Sequence, residues 1–194
     1  MQQDDLFPRP RPAGLIYRPD FISPSEEREL LAEIAAQPLA QARYRQYTAR
    51  RRTVNFGFSY DFTHRVSLAA PPIPAFLESL RARVAAWTGV PAEGFVQALI
   101  AEYAPGTPLG WHRDVPEFEL VSGISLAGPA RLRFRPYPWS PELKKDVFAL
   151  EVEPRSAYVL RDEARWGWQH SVPPTRALRY SITFRTRRTR GTEA

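Results

Sequence analysis

The sequence predicts a mainly β member of the α+β class, a double-stranded β-helix or jelly roll with N-terminal helices backing one sheet. Three observations carry that expectation. Two segments with helical spacing come early in the chain, and from Phe95 onward the pattern turns to short strands separated by Pro- and Gly-bearing loops. In two of those strands polar and apolar residues alternate cleanly, so each has one face for a core and one for something polar. Helices followed by many short strands fit two packed sheets with helices on one of them.

The elements follow in order. Residues 1–12 read as a loose arm, and Gly14 to Arg18 as a short strand. Ser23 is a good N-cap for the first helix, with Pro24 at its first position and Glu26 where a capping box needs it. Leu30, Leu31 and Ile34 supply that helix's apolar face. A second helix is expected from Pro74 to Thr88, with Phe76, Leu77, Leu80, Val84 and Trp87 at helical spacing and Gly89 as its stop. Strands are expected at 95–103, 108–112, 121–127, 130–135, 147–153, 156–161 and 177–187. In the fourth, Leu132 and Phe134 alternate with Arg131, Arg133 and Arg135. The last reads Arg179-Tyr180-Ser181-Ile182-Thr183-Phe184-Arg185, placing Arg179, Ser181, Thr183 and Arg185 on one face. At strand rise its two arginines stand about 20 Å apart at the backbone, so they meet any shared ligand from two directions.

Composition narrows the chemistry. The chain has 194 residues, 43% hydrophobic and 12% aromatic, which suits one domain with a substantial core. The expected boundaries are an arm at 1–12, a single domain at 13–187 and a tail at 188–194. No apolar run approaches the ~20 residues of a membrane span. The polar, proline-rich start does not read as a secretory signal, so a cytoplasmic location is expected, and the chain is separately expected to be a monomer. There are no cysteines, which excludes disulfides, iron–sulfur clusters and thiolate zinc sites. Any metal must rest on imidazole and carboxylate. The net charge is +6 and all but Lys144 and Lys145 of the cationic residues are arginines. That balance fits either a polyanionic partner or an arginine-rich genome.

The chain has only three histidines, and two of them frame its most informative pattern: His112-Arg113-Asp114 with His170 far downstream. Residues two apart on an extended segment face one way, so His112 and Asp114 can grip one metal together. With His170 they make the ligand set of the two-histidine, one-carboxylate iron(II) triad, which leaves coordination positions open. His-Arg-Asp also occurs in the protein-kinase catalytic loop. The kinase glycine loop, D-F-G and downstream asparagine are all absent here, which excludes that reading.

Several further motifs stand in a telling order: Glu102-Tyr103-Ala104-Pro105-Gly106, Leu109-Gly110-Trp111-His112-Arg113-Asp114, Ile124-Ser125-Leu126, Leu132-Arg133-Phe134-Arg135, Arg165-Trp166-Gly167-Trp168-Gln169-His170, and the R-x-S-x-T-x-R strand. With them the chain resembles the AlkB family of iron(II)- and 2-oxoglutarate-dependent dioxygenases, well over 95–187 and loosely before it. The resemblance implies a catalytic set of His112, Asp114, His170 and Arg185, with the first three holding iron. It implies that Tyr103 and Arg179 bind the far carboxylate of 2-oxoglutarate, that Arg185 lies nearer the metal, and that Ser181 and Thr183 line the pocket. The family's usual Asn-x-Tyr and R-x-N-x-T-x-R asparagines are Ala101 and Ser181 here, so two amide partners are missing.

The implied reaction is oxidative dealkylation of nucleobases in DNA or RNA, consuming dioxygen and 2-oxoglutarate, in a repair role. Two other readings stay open: the same chemistry on a protein side chain or small molecule, and a nucleic-acid-binding module with a degenerate oxygenase site. Arg43 to Phe62 interleaves Arg43, Arg45, Arg50, Arg51 and Arg52 with Tyr44, Tyr47, Phe56, Phe58 and Tyr60, where such enzymes build a lid over the base, here about 41–65. Arg51, Phe56, Phe58 and Tyr60 are its candidate substrate contacts. The alternative is an exposed arginine loop leading into a core hairpin. Asp162 and Glu163 fit a charged turn better than a second metal pair, His64 fits a surface histidine, and Arg165 is a candidate support for Asp114.

Overall fold

The computed structural model describes residues 11–44, 47–61 and 66–188; the side chains of 42–47, 61, 66, 67 and 145 are outside that description. Most of the arm, Arg45, Phe62, His64, the side chains of Arg43, Tyr44 and Tyr47, and the tail from Thr189 therefore lie outside the described residues.

The first helix, α1 (Pro24–Ala35), starts where its cap dictates. Glu26 N–H donates to Ser23 Oγ at 3.2 Å and Ser23 N–H donates to Glu26 Oε2 at 2.8 Å. Glu26 also receives Arg83 of α2 (Glu78–Thr88), which stitches the two helices together. A short 3-10 turn, Ala75–Leu77, precedes α2, so the expected second helix begins a turn later as a true α-helix. Gly89 ends it in the left-handed region, φ 73°.

The strands build a double-stranded β-helix. They are β1 (Leu15–Arg18), β2 (Ala40–Tyr44), β3 (Tyr47–Phe56), β4 (Phe58–Asp61), β5 (Val66–Ala69), β6 (Phe95–Tyr103), β7 (Leu109–His112), β8 (Phe118–Leu126), β9 (Ala130–Pro136), β10 (Phe148–Val152), β11 (Ala157–Leu160), β12 (Trp168–Val172) and β13 (Arg179–Arg187). A seven-stranded sheet runs β1-β11-β8-β13-β6-β3-β2, a four-stranded sheet runs β10-β9-β12-β7, and β4 pairs with β5. Every pairing is antiparallel.

Two apolar layers hold these parts. Ile182 and Phe184 of β13 meet Ile100, Ile124 and Leu126, and this outer face of the large sheet takes Leu30 and Ile34 of α1 and Leu80 and Val84 of α2. The second layer fills the space between the sheets with Leu132, Phe134, Trp168, Val172, Val121 and Leu160. Each such fully buried side chain contributes about 1.5–3 kcal/mol. The site lies where this second layer gives way to polar groups.

The segment 40–69 departs from expectation. Where a lid is expected, with an arginine loop leading into a hairpin as the alternative, β2 and β3 form on the edge of the large sheet and β4 pairs with β5. Strand parity explains why it does not read as strand. In β3 the residues paired opposite Ala98, Ile100 and Glu102 are Phe56, Val54 and Arg52, on the helix-facing side, while Asn55 and Thr53 alternate with them. One face is polar and the other is half charged, so apolar alternation never emerges. Arg52 pairs with Glu102 at 2.6 Å across β6.

Candidate metal centre and adjoining pocket

His112 ends β7, and the chain leaves the strand before Asp114. His170 sits on β12 directly opposite His112, their Cα atoms being register partners, and the two rings stand 4.2 Å apart between centroids. Asp114 Oδ2 lies 3.6 Å from His170 Nε2. One ligand atom from each of the three lies within 4.8 Å of the others, the sole such cluster of potential ligands among the described residues.

The donor set fits a divalent iron. His112 Nδ1 sits 2.8 Å from the carbonyl oxygen of Gly110, which fixes the proton there and leaves Nε2 with a free lone pair. Burial, the largest influence, lowers the affinity of both imidazoles for protons. His170 is pushed down to about 3, with His112, Arg165 and Arg185 adding to the effect and Asp114 opposing it. His112 is lowered by burial and by Arg51 and Arg185, against Asp114 and the Gly110 carbonyl. Burial alone would raise the Asp114 carboxyl, but Arg185, the two histidines and Arg165 outweigh it and hold the group well below the usual carboxylate range. The result at neutral pH is two neutral imidazoles and one carboxylate. Asp114 Oδ2 is buried and has no hydrogen-bond partner, whereas Oδ1 is fully engaged by Arg185. An orphaned buried carboxylate oxygen facing two imidazole lone pairs is what a metal-binding site requires.

Arg185 Nε and a terminal nitrogen reach Asp114 Oδ1 at 2.8 and 2.7 Å. Its other terminal nitrogen donates to Gln97 Oε1 at 3.0 Å, and Gln97 Nε2 donates in turn to Asn55 Oδ1 at 3.2 Å and the Phe58 carbonyl at 2.8 Å. Arg165 is 2% exposed and donates to the carbonyls of Asp114, Val115 and Phe118 at 3.2, 2.7 and 2.8 Å, so it holds the loop's backbone rather than the carboxylate. It belongs to a third short helix, α3 (Asp162–Trp166), which also takes up Asp162 and Glu163. Glu163 accepts a hydrogen bond from Trp168 Nε1 at 3.0 Å, which gives it a packing partner.

The inner face of the large sheet runs away from the His112–Asp114–His170 cluster in ordered rows. Arg185 lies opposite Gln97 and Val121, Thr183 opposite Leu99 and Gly123, Ser181 opposite Ala101 and Ser125, and Arg179 opposite Tyr103. At the far end Arg179 is buried, its guanidinium 5.0 Å from the Tyr103 ring centre and its Nε bonded to Ser125 Oγ at 2.9 Å. Arg179 forms no ion pair among the described residues. Tyr158 of β11 extends this surface. It pairs with Gly123, and its ring lies so close over that residue that an added Cβ would stand 2.4 Å from the hydroxyl oxygen. Burial, the dominant cause, pushes the Tyr158 hydroxyl up to about 12, so it stays a proton donor.

Of the other expected contacts, Tyr60 lines a cleft of about 390 Å³ that opens onto Asp114 between Arg113, Tyr137 and Gln169. Arg51 is near enough for its charge to act on His112. Phe58 lies under Arg187, 5.8 Å from its ring centre. Phe56 is a correction: it is 6% exposed and packs in the helix-side layer with Ala98 and Phe95, because its parity in β3 turns it away from the cleft. Sequence reasoning did not reveal Gln97, Tyr158 or Gly123. The lone glutamine inside the apolar run 95–101 is the one signal that pointed to any of them.

The 2OG-Fe(II) oxygenase superfamily model matches residues 14–185. Among curated proteins, an alkylated DNA repair protein ALKBH8 homolog from Arabidopsis thaliana is 29% identical, the match covering 82% of this chain; the chain spans about half of that relative's length, 51%. A probable RNA/DNA demethylase ALKBH6 from Danio rerio is 25% identical over 83% of the chain and 70% of its own length. Among solved structures, OsALKBH1 superposes with a TM-score of 0.68 at 14% identity, covering 91% of this chain and 99% of its own. A Pseudomonas putida prolyl-4-hydroxylase gives 0.61 at 18% identity, covering 90% and 93%. These two likenesses show the shared β-helix. The matching model spans nearly the whole described chain and its triad, so the chain belongs to the 2OG-Fe(II) oxygenase superfamily, a group of oxidoreductases that use iron(II), 2-oxoglutarate and dioxygen.

Proposed function

We propose that this oxygenase removes alkyl groups from nucleobases of DNA or RNA, in a repair role in the cytoplasm and as a monomer. The observation that carries the proposal is the cleft at Asp114. Its walls are aromatic and cationic, with Tyr60 on one side and Arg113 stacked 3.6 Å over the Tyr137 ring on the other. A flat, hydrogen-bonding base suits such walls better than an aliphatic side chain. The names carried by the Arabidopsis and Danio relatives point the same way.

The residue roles follow from charge and placement. His112, Asp114 and His170 hold the iron, which with 2-oxoglutarate and dioxygen supplies the power to hydroxylate a C–H bond while 2-oxoglutarate becomes succinate and CO₂. A hydroxylated N-methyl group then breaks its C–N bond and leaves as formaldehyde, returning a proton to the base nitrogen. Arg179 and Tyr103 take the far carboxylate of 2-oxoglutarate through a charge-assisted contact. Ser181 and Thr183 line its path, and the Tyr158 hydroxyl donates toward it in place of the amides missing at Ala101 and Ser181. Arg185 keeps Asp114 ionised and oriented, with Oδ2 turned to the metal. Residues 41–65 act as a lid, tied to the iron side through the Asn55–Gln97–Arg185 relay.

Formaldehyde release from methylated single-stranded DNA, duplex DNA, RNA and a methylated peptide tests the reading. Turnover is expected on a nucleic acid. Turnover of the peptide with none on any nucleic acid would overturn it in favour of a protein substrate.

A further inference from the structure

The outer face of the four-stranded sheet carries a feature that the oxygenase reaction does not use. Trp111 of β7 and Arg133 and Arg135 of β9 face outward there, opposite in parity to His112 and Phe134. Between them β12 offers only Ser171 and Gln169, short or neutral side chains over which the arginines reach. Arg135 lies between two indoles, 4.5 Å from the Trp111 ring centre and 4.6 Å from that of Trp139; Arg133 lies 5.0 Å from Trp111.

Both guanidiniums are held by the same atom. Arg133 Nε donates to Ser171 Oγ at 3.2 Å and Arg135 Nε to Gln169 Oε1 at 2.8 Å. The inner nitrogen is fixed and the plane is fixed by stacking, while the terminal fork of each side chain points to solvent. Among the described residues neither arginine has a carboxylate partner; on this face Glu151 is engaged by Arg131 at 3.3 Å. Burial first and the neighbouring charge of Arg133 second lower the pKa of Arg135. A protein that orders two cations side by side with open forks has prepared them for a bridging anion.

The surface is continuous with the cleft. Gln169, which orders Arg135, also lines the opening at Asp114, and so do Tyr137 and Arg113. Tyr137 and Trp139 are 44% and 39% exposed, each with its ring against a guanidinium.

From this geometry we infer that the outer face of the four-stranded sheet is a track for single-stranded nucleic acid leading away from the cleft. The Arg133 and Arg135 forks take backbone phosphates, and Trp139 and Tyr137 receive flanking bases. An acidic peptide would satisfy the charges but would leave the exposed ring planes without a use, and duplex bases are not free to stack on them. The inference rests on the nucleobase reading above and extends it to the strand around the target base.

The test is fluorescence anisotropy of a labelled, unmethylated oligothymidylate across a salt series, with the full chain loaded with iron(II) and 2-oxoglutarate under nitrogen. Arg133→Gln with Arg135→Gln is expected to weaken binding about tenfold and to make the slope of log K against log salt shallower by about 1.4, from roughly 0.7 per phosphate on a single strand. Trp139→Ala, at an exposed loop position, is expected to weaken binding at least about fivefold with the slope unchanged, as for loss of one stacked base. The iron–2-oxoglutarate absorbance of each variant shows that the fold and the metal centre survive. Wild-type affinity and slope in both variants would overturn the track while leaving the nucleobase reading intact. Wild-type binding to polyglutamate as tight as to the oligonucleotide would overturn nucleic acid as its occupant. No salt-sensitive oligonucleotide binding by the wild type would overturn the track and the substrate reading together.

Discussion

Arg179 and Arg185 are the same residue type on the same face of the same strand, six positions apart, yet their surroundings differ. Arg185 meets a carboxylate within 2.8 Å and passes its remaining hydrogen bond to Gln97. Arg179 is buried against an aromatic ring and a serine, with no carboxylate among the described residues. Burying a cation without a partner is costly, so a fold that keeps one has a reason outside its own stability. In the proposed function one arginine completes a metal ligand and the other receives the anion that arrives with the cosubstrate. The difference shows that charge balance, more than residue type, separates a positioning group from a binding group.

The sharpest way to break this comparison is to remove each cation in turn. Arg185→Met leaves Asp114 buried with its main counter-charge gone and is expected to cost about 3–5 kcal/mol in urea unfolding of the metal-free protein. Arg179→Met strands no anion. It is expected to leave that unfolding midpoint near wild type or above it, while raising the KM for 2-oxoglutarate about 10- to 100-fold through loss of a charge-assisted contact. Equal destabilisation by the two would refute the distinction.

A pH series sharpens the metal end. The ordinary histidine value is 6.5, and His170 in the fold is pushed down to about 3. Between those values the unfolded chain holds a proton that the folded chain refuses. Stability of the metal-free protein is therefore fully present above about 6.5 and falls as pH drops toward 3, by up to roughly 1.4 kcal/mol per pH unit from this group. His170→Gln should flatten that slope; an unchanged slope would show that the imidazole is not held neutral.

Smaller effects are expected one layer out. Gln97→Leu removes the acceptor of Arg185 and the donor to β4, and should weaken iron binding about tenfold, read by titration against a competing chelator. Iron affinity equal to wild type would show that the relay does not support the metal ligand. Tyr158→Phe deletes one hydroxyl and should raise the KM for 2-oxoglutarate about fivefold, the equivalent of about 1 kcal/mol, with iron affinity unchanged. An unchanged KM would place the hydroxyl outside the cosubstrate's reach.

What the sequence revealed and what it hid divide along physical lines. The triad was legible because histidine is scarce here and because spacing of two has a fixed geometric meaning. The R-x-S-x-T-x-R strand was legible because its other face, Tyr180, Ile182 and Phe184, is apolar and makes the alternation visible. Strand β3 was hidden because a strand with a polar working face and an ion pair on the other lacks that contrast. Phe56 was misassigned to the cleft because its parity became clear only once β3 was registered on β6. Gln97 and Tyr158 were hidden for a different reason: each acts through one contact across the sheet, and a single cross-strand contact leaves no periodic trace. Arg133 and Arg135 stood out as an alternation, but their indole partners come from β7 and from the turn after β9, which only the fold brings together.

In the proposed function His112, Asp114 and His170 share one ferrous ion to which 2-oxoglutarate binds. Anaerobic titration of the metal-free protein with iron(II) in the presence of 2-oxoglutarate, followed by visible absorbance, tests it most directly. A charge-transfer band that saturates at one iron per chain and is lost in Asp114→Ala is expected. A band of undiminished intensity in that variant would contradict it.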